Sequence, residues 1–166
     1  MNELIKSIKN ALKNNNWYAA LFIALCIPDI CGKLENPKEV PKDRYTKWFS
    51  NNVGTKYIKG VGPNNNKHIF LCANDCYALR CSYFHEGSSD ITNQSAREKL
   101  NNFVFKSPNK MGRHCNYFVN SEGKKLLQLQ VDHFCEDLCE AAEKWLEKHK
   151  NNSVIQERIS KLIKIQ

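Results

Sequence analysis

Two residue types that could act on a phosphodiester stand close together in the stretch ALRCSYFHEG, residues 78–87: Arg80 and, five positions on, His85. Arginine is a permanent cation whose planar fork suits a phosphate, and histidine exchanges a proton near neutral pH. Together they can cut RNA without a metal. The 2′-hydroxyl loses a proton and attacks the adjacent phosphorus, a guanidinium stabilises the crowded phosphorane, and an imidazolium protonates the departing 5′-oxygen. Ser82 could hydrogen-bond a phosphate or its own helix carbonyl. Glu86 could orient His85. Arg113 and His114, in the turn KMGRHCN, could hold a substrate phosphate, although an exposed basic turn accounts for them as well.

These residues need an element to position them. The apolar run leading to Gly87 reads as a helix from about His68 to Glu86, with Cys72, Cys76, Leu79 and Tyr83 as its core stripe. Arg80 and His85 lie off that stripe. At about 100° per residue they point roughly 140° apart. Either the helix loosens in its last turn, or two copies pack so that each arginine approaches the other chain's histidine. The plain alternatives are an interhelix salt bridge for Arg80 and a dipole-favoured C-terminal position for His85. Cys81 and His85, four apart, would also suit a thiol nucleophile with its base, but no other part of a cysteine-enzyme pattern accompanies them.

Residues 3–13 carry a helical stripe, and a second, apolar helix runs from Trp17 to about Cys31, capped by the asparagines at 14–16. Pro28 should kink or end it, with Gly32 as its stop. A third helix spans about 42–51. Residues 54–67, rich in Gly, Pro and Asn, read as a loop and as the most mobile segment. Short strands at 103–105, 117–119 and 126–129 suggest a small antiparallel meander. Helices at about 131–148 and 153–164 follow. The first of these has Phe134, Leu138, Ala141 and Trp145 as its stripe. Trp17, Trp48 and Trp145 each fall on an apolar stripe and read as core.

At 166 residues the chain fits one domain, 1–166, mainly α, a helical bundle with a β insertion at about 100–130. A net charge of +8 favours polyanionic partners such as nucleic acid. The apolar run from Trp17 to Ile27 lacks a cleavage site and is too short to span a bilayer. A cytoplasmic protein with reduced thiols and no membrane partner is expected. The eight cysteines include no CxxC pair. His114, Cys115, His133, Cys135 and Cys139 could supply ligands, yet cysteine as a small buried hydrophobe is the simpler account. No metal or cofactor is expected.

The segment RCSYFH resembles the arginine, four to six residues, histidine motif of the HEPN superfamily, small α-helical bundles that are often dimeric ribonucleases of toxin, abortive-infection and antiviral systems. The resemblance covers the motif, its helix and the helical context of roughly 1–87 and 131–164. Cys81 departs from the polar residue common after the arginine, and the β insertion is no part of the minimal bundle. The resemblance implies a metal-independent endoribonuclease whose Arg80 and His85 form the active site at a homodimer interface. RNA is then the substrate, and an antitoxin or a sensor protein would be a further partner. A non-catalytic helical module that binds RNA or protein is the alternative.

Overall fold

The computed structural model describes residues 1–108 and 114–165. Among them are six α-helices: α1 (Asn2–Lys13), α2 (Trp17–Glu35), α3 (Pro41–Asn52), α4 (Ala73–Glu86), α5 (Val131–Lys148) and α6 (Ser153–Ser160). Five short strands accompany them: β1 (Ile58–Val61), β2 (Asn66–Ile69), β3 (Asn102–Lys106), β4 (Asn116–Val119) and β5 (Lys125–Gln130). The fold is mainly α, as the apolar periodicity predicts.

The organising element is α2. Asn16 caps it by accepting from the Ala19 N–H. The helix buries residues on nearly every side and packs against α1, α3, α4, α5 and α6. Neither expected breaker stops it. Pro28 is buried inside the helix, and the chain stays helical to Glu35. Gly32 is a point of close approach: a Cβ there would lie 2.6 Å from the Arg44 carbonyl oxygen of α3. The whole helix is therefore 19 residues, longer than the apolar run alone. By length and composition it could cross a membrane, which corrects the expectation that it is too short, and half of its most apolar window is buried in this core.

Helix α5 follows its expected stripe: Phe134, Leu138, Ala141 and Trp145 are buried, with Cys135, Cys139 and Ala142 beside them. Trp48 and Trp145 are almost fully buried, whereas Trp17 is only partly so. Helix α6 ends at Ser160, short of the expected 164.

The β structure departs from expectation twice. Residues 58–69 form an antiparallel hairpin, not a loop, and α4 accordingly starts at Ala73 instead of His68. Gly62 and Asn65 take positive φ (75° and 50°), so the Gly-Pro-Asn composition is spent on the turn itself. The second sheet is no antiparallel meander. Its order is β3-β5-β4, with β4 antiparallel and β3 parallel to β5. Apolar residues at 103, 127 and 129 face the core from both arrangements alike, so alternation identified the strands without fixing their order.

Asp75, buried in the first turn of α4, anchors this sheet. Its carboxylate accepts from the backbone N–H groups of Glu98, Lys99 and Leu100 just before β3. Asn101 in turn pairs with Lys125 at the start of β5.

The Gly32 contact yields a test. Glycine to alanine inside a helix ordinarily gains about 1 kcal/mol. Gly32→Ala should instead lose about 1–3 kcal/mol in denaturant unfolding, because α3 must move away from α2.

Candidate functional site

Helix α4 stays regular through Glu86 and ends on Gly87, which takes φ 63° while its N–H reaches the Ser82 and Tyr83 carbonyls. The last turn does not loosen, so Arg80 and His85 keep their helical offset within one chain. His85 is exposed, and among the described residues no hydrogen bond or ion pair holds it.

Arg80 points the other way, toward α2. Its Nη2 donates to Asp29 Oδ2 at 2.8 Å, and its guanidinium carbon lies 5.0 Å from the centre of the Phe84 ring. Arg44 of α3 reaches the other carboxylate oxygen: Nη2 and Nε stand 3.2 and 3.3 Å from Asp29 Oδ1. One carboxylate thus joins α2, α3 and α4. Burial is the largest single influence and opposes the Arg80 charge, but Asp29 together with Cys81 and Tyr77 more than offsets it, so the guanidinium stays cationic. The Arg80 Nε–H is buried without an acceptor among the described residues. Lys33, which donates to the Pro37 carbonyl, lines the same cleft of about 340 Å³ with Asp29, Arg44 and Arg80. Three cations against one carboxylate leave that cleft with a charge of +2.

The salt-bridge reading of Arg80 therefore describes a contact this chain makes. Asp29 was the residue sequence reasoning missed. Its signal was a lone carboxylate in the middle of an apolar helix, a position that demands a cationic partner.

The remaining candidates sit apart from one another. Ser82 is fully buried and donates to the Asp90 carbonyl at 2.6 Å, which joins α4 to the next loop and leaves its hydroxyl no access to a substrate. Glu86 is exposed and accepts from the Gln94 amide at 2.9 Å, so it turns toward residue 94 instead of orienting His85. Arg113 lies outside the described residues. His114 is no exposed basic turn residue. Its Nδ1 accepts from the Gln130 backbone N–H at 3.2 Å, its ring stacks on His133, and burial pushes its pKa down against the pull of Asp137.

Tyr83, expected in the core stripe of α4, is only partly buried. The face turned inward is Asp75, Cys76, Leu79 and Ser82. The cysteines are free, and burial pushes the thiols of Cys76 to about 12 and Cys139 to about 11, so they stay protonated at neutral pH. No group of three potential metal ligands occurs among the described residues.

Beside the motif lies an aromatic surface. Phe22 of α2 stacks on Phe84 with centroids 4.0 Å apart and approaches Tyr83 at 6.0 Å. Phe22 is 44% exposed and Tyr18, one turn earlier, 79%. The patch thus adjoins Arg80 through Phe84, and exposed His85 is the next residue of the same helix.

Comparison with protein-family models, with curated proteins and with solved structures returns no match for this chain.

The geometry separates the two candidate residues in their cost to the fold. Arg80→Ala leaves Asp29 with Arg44 alone and should cost about 1–3 kcal/mol by thermal or denaturant unfolding. His85→Ala should fall within about 0.5 kcal/mol of the native chain.

Proposed function

We propose that the chain is a metal-independent endoribonuclease of the HEPN type that acts as a symmetric homodimer, with the Arg80 of one subunit serving the His85 of the other. The observation that carries this reading is the aromatic patch beside the motif, in which exposed Tyr18 and Phe22 lie against half-buried Phe84. Large aromatic side chains left in water at one spot are characteristic of surfaces that meet a partner. A second copy seated there about a two-fold axis would face its own α4 end with this one, and the regular helix leaves an intersubunit site as the way to join the two residues.

The electrostatics favour an anionic substrate. The +2 cleft suits a phosphate group, and the chain as a whole carries +8. In the reaction a general base takes the proton of the 2′-hydroxyl, and the O2′–P bond forms as the P–O5′ bond breaks. Arg80 holds the charge gathered on phosphorus, and His85 gives its proton to the leaving 5′-oxygen. The products are a 2′,3′-cyclic phosphate and a 5′-hydroxyl. A role in a toxin or antiviral system, with an antitoxin or sensor restraining the activity in the cytoplasm, follows from the resemblance alone.

A second reading has its own support. Asp29 already satisfies much of Arg80, as it would in a non-catalytic module that binds RNA or protein. The two differ in their need for His85.

Cleavage of single-stranded RNA should persist in EDTA, leave 2′,3′-cyclic ends and spare DNA, which lacks the attacking hydroxyl. His85→Ala should lower the rate at least 100-fold. Activity that vanishes in EDTA and returns with magnesium, or a His85→Ala chain that cuts as fast as the native one, removes this reading.

A further inference from the structure

A second cavity, of about 460 Å³, shares no residue with the Arg80 cleft. It opens between the β1–β2 hairpin and the start of β4. One wall is aromatic: the His68 ring meets Phe70 edge-on at 4.6 Å and Tyr117 at 5.5 Å. The other is polar, formed by His114, Cys115 and Asn116.

That polar wall is built from neutral groups in fixed positions, with the Asp137 carboxylate 4.0 Å behind the His114 Nε2. The Nδ1 of His114 accepts from Gln130, which leaves the ring proton on Nε2. Burial favours the neutral imidazole and likewise pushes the Cys115 thiol up to about 11. Cys115 takes φ 60°, a conformation that residues with a Cβ rarely adopt and that tends to collect at functional sites. Charge enters from the hairpin: Lys59 pairs across the ladder with His68, and its field acts on both His114 and Cys115.

Flat aromatic surfaces, neutral hydrogen-bonding groups and a flanking lysine together match one ligand chemistry. We infer that this cavity takes an unpaired nucleobase of single-stranded RNA, packed against the His68 and Tyr117 rings and hydrogen-bonded by Asn116, with Lys59 on the phosphate backbone. A duplex, whose bases are paired and stacked, does not enter. The inference goes beyond the proposed cleavage and does not need Arg80 or His85 to be catalytic.

The test is fluorescence anisotropy with the full chain and a labelled single-stranded 2′-O-methyl RNA. That oligonucleotide lacks the attacking hydroxyl, so it reports binding whether or not the chain cuts RNA. The native chain should bind the single strand at least tenfold more tightly than the matching duplex. His68→Ala and Tyr117→Ala should each weaken single-strand binding about tenfold, while Tyr117→Phe, which keeps the ring, stays within about twofold. In the native chain, AMP should shift the imidazole resonances of His68 and His114, a measurement that stands if a variant fails to fold. Equal binding of single strand and duplex, unchanged affinity in folded His68→Ala and Tyr117→Ala chains, or unmoved imidazole resonances would overturn the assignment.

Discussion

Everything near the motif depends on one carboxylate. Asp29 sits in the middle of the most buried helix, where a charge without partners would be costly, and it is satisfied by guanidinium groups from two other helices. The arrangement fixes α3 and α4 against α2 and selects which way Arg80 points. It also leaves an excess: two arginines share one acid, with Lys33 alongside. A purely structural bridge needs only one cation. The surplus charge is what makes the cleft suited to an anion.

Arg44, which meets Asp29 through its side chain, also meets Gly32 through its backbone. The Arg44 backbone of α3 lies so close to α2 that a Cβ on Gly32 would stand 2.6 Å from the Arg44 carbonyl oxygen, so a residue without a Cβ is what this contact takes. A glycine that reads as a helix stop is instead a helix–helix contact. Pro28 behaves in a related way: burial on nearly all sides of α2 holds the helix together past a residue that removes one of its hydrogen bonds.

Helices with one-sided apolar stripes were legible in the sequence almost to the residue, as α1, α3 and α5 illustrate. Their periodicity encodes a face, and the face determines burial. Sheet order was not legible, because β3 and β4 show similar alternation and nothing local says which lies parallel to β5. The hairpin at 58–69 was hidden for another reason. Its strands are mostly exposed and carry no apolar pattern, so only the turn composition was visible. At the candidate site, the spacing of Arg80 and His85 was readable but the partners were not. Asp29 lies 51 residues from Arg80, and Asp75 is 23 residues from the first backbone N–H it accepts. Contacts of that range follow from packing and leave no trace in local spacing.

The central claim is that Arg80 from one subunit and His85 from the other complete a single site, and subunit mixing tests it most directly. Arg80→Lys and His85→Ala chains, each inactive alone, are mixed, dissociated and reassociated, and RNA cleavage is then measured. In a mixed dimer one site holds both substitutions and the other holds neither. Random pairing should therefore restore about a quarter of native activity. A mixture as inactive as its components, beside a native chain that cuts RNA, would contradict a site shared between subunits.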